Sequence, residues 1–270
     1  MIPRPGHNSE YDWNGRVPYK EMPYLLNPKK GYIATANNKT IGDTFPYYIS
    51  GLWADPSRAQ QIIKRLDTLD AAKVKDMKSI QLDYTSLFAE EITPLLLSVK
   101  TGDETGKHKE AINILENWDF VESPESKGAL IFHSVLRQVV ISIFGDELDL
   151  LGDKYLDAFT SMKYLHNRSL RKILAEGNSS WIDDITTRNK IETLEEILTR
   201  SFIKGVNDIE MVAGHNINNW EWGRVHNLTH NHKIGSKKIL DWIFGLNVGP
   251  YPSGGSDKSP NAGSYSFRDP

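Results

Sequence analysis

Apolar positions recur at helical spacing through most of the chain. After Pro56, which suits the first turn of a helix, Ala59, Ile62, Ile63 and Leu66 line one face. The same period predicts helices at roughly 72–99, 108–118, 124–144, 151–175, 185–204 and 236–244. For 124–144, Ser123 is the expected cap, Pro124 the first position and Gly145 the stop. Its apolar run GALIFHSVLRQVVISIF (128–144) carries His133, Arg137 and Gln138 near the middle, which predicts a buried amphipathic helix rather than a membrane span. Ahead of the helices the pattern differs. Pro3, Pro5, Pro18, Pro23 and Pro28 forbid a long helix before residue 31, so this stretch is expected to be an extended loop. Tyr11, Trp13, Tyr19 and Tyr24 in it should lie against something apolar. YIATA (32–36) reads as a strand by its β-branched and aromatic content. The end, 245–270, is turn-rich with room for one short strand. The fold class is therefore α+β and predominantly helical, with few strands, and the length of 270 residues fits one large or two small domains. The lone strand needs partners, because an isolated strand is unstable in water: either other sequence supplies them, the favoured reading, or this chain holds strands that its pattern does not reveal.

Composition narrows the function classes. The chain has 270 residues, 39% hydrophobic and 25% charged, enough apolar material for a sizeable core. A net charge of −3 gives no electrostatic case for nucleic acid or an anionic membrane as partner. With no cysteine, thiolate catalysis, disulfides and cysteine-ligated zinc are excluded. The opening MIPRPGHNSEYDWNG has no apolar run of the signal-peptide kind.

The candidate chemistry is sparse. There is no G-x-S-x-G and no glycine-rich phosphate loop, and Gly254-Gly255-Ser256 reads as a loop. His226 and His230 would share one face of a helix, as in helical zinc sites, but no glutamate follows His226. Leu228, His230 and His232 also alternate as a strand does, so packing or capping is the default for these histidines and His215. Asp183, Asp184, Glu192, Glu195 and Glu196 read as a solvated helix face. Gln81 and Asp83, placed inside the 72–99 helix, suit a cap or a bond between helices. Arg58 sits in the first turn after Pro56, where the helix dipole disfavours a cation, so an acceptor elsewhere or a surface accident must account for it. Asn37-Asn38 either makes a turn, since asparagine tolerates positive φ, or holds an amide that donates to a developing oxyanion.

Several segments in order resemble the penicillin acylase (penicillin amidase) family. They are DWNGRVPYKEMPYLLNPKKGYIATANN (12–38), YYISGLWADPSRAQQI (47–62), IQLDYTS (80–86), WEWGRVHNLTHNH (220–232) and GPYPSGGSDKSPNAGSYSF (249–267). The resemblance implies an N-terminal nucleophile hydrolase of layered αββα fold, made from a precursor that cuts itself. The new N-terminal serine attacks an amide carbonyl, with its own α-amino group as base. On that basis Asn37 matches the oxyanion-hole asparagine, and Arg58 the arginine that orients it. The serine, the second oxyanion donor and most of the acyl pocket would lie upstream, in the remainder of the precursor, which is the expected partner. This stretch alone is then expected to be inactive and to expose apolar surface and an unpaired strand edge. The implied substrate is a small N-acyl compound, penicillin-like or an acyl-homoserine lactone, and the family suggests a periplasmic or secreted location. Family chemistry needs no cofactor. A structural calcium is common in the family, but its loop aspartate is replaced here by Pro46 or Tyr47, with Asp43 nearby, which argues against that site. The competing classes are a non-catalytic binding or scaffold remnant of the same fold, and a metal-dependent hydrolase built on the histidines.

Overall fold

The computed structural model describes residues 5–102, 106–152 and 154–263. Pro3 and the end of the last resemblance segment, 264–267, lie outside them.

The core forms around α5 (Lys127–Leu150) and α8 (Leu194–Ala213), which pack along each other. α5 is not amphipathic as expected but buried on nearly every side: 83% of its most apolar window is inside the fold. It is long and apolar enough to cross a membrane, but its surroundings are those of a core helix. Ser126, not Ser123, caps it by accepting from the Ala129 amide at 3.1 Å. Pro124 stays in the preceding turn, where its carbonyl accepts from Gly223 N at 2.7 Å. Gly145 does not end the helix: it lacks the positive φ of a glycine stop, is buried, and the helix runs on to Leu150. α8 starts later than its period suggested, at a capping box in which Thr193 and Glu196 satisfy each other's amides. The two helices come close because residue 205 is glycine. A Cβ there would lie 2.8 Å from Val135 Cα.

Around this pair stand α1 (Ser57–Leu66), α2 (Val74–Gln81), α3 (Leu87–Leu96), α4 (Lys107–Glu116), α6 (Lys154–Ser161) and α7 (Lys163–Glu176). The expected 72–99 helix is broken after Gln81. Asp83 turns inward and accepts from Gln61 (2.8 Å) and Arg65 (2.9 Å) of α1, the bond between helices that its polarity called for. Ser86 then caps α3. The 151–175 stretch likewise splits at Met162. The acidic run is no uniform solvated face either. Asp183, Asp184 and Glu192 precede α8, and Glu192 is buried, accepting from Asp184 N (3.0 Å) and Thr187 Oγ1 (3.0 Å).

Among the described residues the only sheet is an exposed antiparallel pair, β1 (Asn227–His230) and β2 (Val248–Pro252), joined through α9 (Lys238–Phe244). β2 is the short strand foreseen in the turn-rich end. YIATA is not a strand. It is extended but pairs with no neighbouring strand, and is held to α1 by side chains instead. The aromatic cover expected for the entry loop is also missing among the described residues: Trp13 is 96% and Tyr19 93% exposed. Ile239, Trp242 and Phe244 of α9 are exposed too.

Candidate functional site

The 32–38 segment runs along α1, tied at both ends. The Tyr32 hydroxyl donates to Asp67 at the C-terminal end of α1 (2.5 Å), which raises the tyrosine pKa. At the other end Arg58, in the first turn of α1, donates from Nη2 to the Ala36 carbonyl (2.9 Å) and to Asn37 Oδ1. The amide of Ala54 closes the loop on the Asn37 carbonyl at 2.9 Å.

The two asparagines divide the labour. Asn38 does the local work: its Oδ1 accepts from Ala36 N at 3.0 Å and its Nδ2 donates to the Lys39 carbonyl. Asn37 takes the positive φ of 61° that asparagine tolerates, and its side chain reaches Arg58 rather than its own backbone. A guanidinium has only donors, so the atom it meets must be the carboxamide oxygen. The NH₂ of Asn37 is thereby turned away from Arg58. It has no hydrogen-bond partner among the described residues, and the residue is exposed. The acceptor that Arg58 lacked as a helix-start cation is thus Asn37 together with Ala36.

A second layer holds this corner. Asp55 Oδ1 accepts from Ser57 N at 2.9 Å and from Ser57 Oγ at 2.5 Å. Its other oxygen accepts from Arg171 Nη1 of α7 at 2.6 Å. Sequence reading passed over Asp55 and Arg171. The run Asp55-Pro56-Ser57 carried the signal for the first, as an acceptor just before a helix start. For Arg171, 116 residues away, no local signal existed.

The histidines do not assemble. His226 follows the 3₁₀ turn Trp222–Arg224 rather than lying on a helix with His230; it is buried, stacked on Trp222 at 4.8 Å, and bonded to the Ser253 carbonyl. His230 is on exposed β1, and His215 pairs with Glu210 (3.1 Å). Among the described residues no group of three His, Asp or Glu could hold a metal. Asp43 is paired with Lys39, which holds its carboxyl below the usual range, and the Tyr47 hydroxyl donates to Glu21. Gly254-Gly255-Ser256 is a loop, as expected, with Gly255 N on the Glu122 carbonyl (2.7 Å).

The arrangement leaves one carboxamide NH₂, that of Asn37, exposed at the end of the 32–38 segment, with Arg58 bonded to the oxygen of the same amide. The penicillin amidase family profile matches residues 1–269, so the chain belongs to the penicillin amidase family. Among its relatives, the acyl-homoserine lactone acylase QuiP of Pseudomonas fluorescens Pf-5 is 28% identical over 98% of this chain and 33% of its own length. QuiP of Pseudomonas aeruginosa is 25% identical over 99% of this chain and 34% of its own length. The penicillin acylase 2 proenzyme of Pseudomonas sp. SE83 is 36% identical over 32% of this chain and 11% of its own length. The chain thus spans about a third of the length of the curated acyl-homoserine lactone acylases it matches.

Proposed function

We propose that this chain forms part of an amidase that hydrolyses small N-acyl compounds, and that it supplies Asn37 as the oxyanion donor and Arg58 as the residue that aims it. The observation that carries this reading is the grip of Arg58 on Asn37 Oδ1, which leaves Nδ2 facing outward. In the proposed reaction an N-terminal serine, from the remainder of the precursor, attacks the amide carbon. Its hydroxyl proton passes to its own α-amino group, whose pKa of about 7.7–8.0 suits a base near neutral pH. Negative charge gathers on the former carbonyl oxygen, and Asn37 Nδ2 donates to it. The C–N bond then breaks, the amine leaves with the proton, and water releases the acyl group from the serine. Arg58 donates from outside the reacting atoms. Its two bonds spare the carboxamide any reorientation as charge develops. No metal or cofactor enters the scheme.

The test uses processed enzyme containing this chain, with an N-acyl-homoserine lactone, a penicillin and an N-acyl-4-nitroanilide as substrates. Equimolar free amine and carboxylic acid from at least one of them is expected. No cleavage of any, or lactone ring opening with the amide intact, overturns the reading.

A further inference from the structure

The corner that presents Asn37 is braced by a partly buried ion pair between Asp55 and Arg171 of α7. Asp55 lies between the two residues that hold Asn37: Ala54, whose amide fixes its carbonyl, and Arg58, whose guanidinium fixes its side chain. The Asp55 side chain is 7% exposed, so its charge needs a counter-ion. Arg171 supplies it. From α7 the guanidinium donates to Asp55 Oδ2 (2.6 Å), lies 3.4 Å from Ser57 Oγ, and donates to Glu91 Oε2 of α3 (2.9 Å). Its Nε is 2.7 Å from Glu91 Oε1, and its carbon stands 5.2 Å from the Phe88 ring centroid. One side chain therefore fixes the start of α1 against both α3 and α7. A planar fork with several donors can do this where a lysine cannot.

We propose that Arg171 is a positioning residue for catalysis, acting through Asp55 and the start of α1 to hold Arg58 and Asn37 in register with the substrate oxygen. This rests on the reading of Asn37 as oxyanion donor. Without Arg171, Asp55 keeps a buried charge with no cation. The 54–58 turn must then move toward water, carrying both ties to Asn37. A shift of about 1 Å in a reacting group costs on the order of 100-fold in rate.

The experiment is a double-mutant cycle in the processed enzyme, with kcat and KM measured for wild type, Arg171→Met, Asn37→Ala and the pair. Arg171→Met should lower kcat by about 10- to 100-fold with KM within about threefold, as expected for an interaction made mainly in the transition state. In the Asn37→Ala background the same change should cost little more, because the group it positions is gone. An equal loss in both backgrounds, or no loss in the first, overturns the proposal. If Arg171→Met fails to fold, Asp55→Asn, which keeps the side-chain shape, enters the same cycle with the same expectations. Should Asn37→Ala itself leave kcat untouched, the functional reading falls, and the cycle distinguishes that outcome from failure of the Arg171 proposal alone.

Discussion

Replacing Gly205 by alanine tests the close approach of α5 and α8 on which the rest of the fold is built. The added Cβ would sit 2.8 Å from Val135 Cα, 2.9 Å from Val135 N and 3.1 Å from Ser134 C. All three are backbone atoms, so no side chain can swing aside. Ordinary contact needs about 3.5–4.0 Å between carbons, so the helices must part by roughly 1 Å. That strains the bond from Ser134 Oγ to the Gly205 carbonyl (2.9 Å) and loosens Phe132, Val139, Phe202 and Val206, all buried in the same cluster. Overpacking of this kind costs about 1–3 kcal/mol. Alanine returns about 1 kcal/mol through its better helix propensity. Because the clash is with backbone that cannot yield, the upper half of the overpacking range applies, about 2–3 kcal/mol, and the net is about 1–2 kcal/mol of destabilisation, or roughly 2–8 °C in Tm for a chain of this size. Thermal and urea melts of Gly205→Ala beside wild type measure it. An unchanged or raised Tm would refute the contact.

Three further outcomes follow from named interactions. Arg58→Lys shortens the side chain and withdraws the donor from Ala36 and Asn37, both of which bond to the terminal Nη2, so kcat should fall by about tenfold or more while the fold persists, read from initial rates and circular dichroism. Asp83→Asn should cost about 1.5–3 kcal/mol near neutral pH by denaturant titration. Burial pushes the Asp83 carboxyl up, but bonds from Thr85 and Gln61 and the charge of Arg65 outweigh it and hold the pKa below its ordinary 3.8. Its contribution is therefore complete above 3.8 and lost as pH falls through the folded value, so the gap between variant and wild type should close in acid. Glu147 behaves oppositely: burial, then the Asp146 carboxyl, pushes it from 4.5 up to about 7. The stability it gives is complete below 4.5 and lost as pH rises toward 7, so Glu147→Gln should raise Tm at pH 8 and change it little at pH 4.

What the sequence made legible were features written locally. Pro56 and the 59–66 period mark α1, alternation marks β1, and Asp83 in an apolar setting marks a bond between helices. The missed features depend on distant partners. YIATA has strand composition, but no strand lies beside it among the described residues, and side chains of α1 hold it instead. The 72–99 period runs unbroken through Asp83, because periodicity records which face is apolar and not where a buried carboxylate pulls the backbone inward. The asparagine pair is instructive in both directions. The turn reading correctly describes the positive φ of Asn37 and the back-bonding of Asn38, while the Arg58 contact concerns a different atom of the same residue. Arg171 was invisible, since a counter-ion recruited across 116 residues leaves no local pattern.

The central claim is that the NH₂ of Asn37 meets negative charge that exists only during bond breaking. Single-turnover and steady-state kinetics of Asn37→Ala in the processed enzyme test it most directly. The account predicts a kcat lower by on the order of 100- to 1,000-fold with KM nearly unchanged. A variant with wild-type kcat, or one whose only defect is a raised KM, would contradict it.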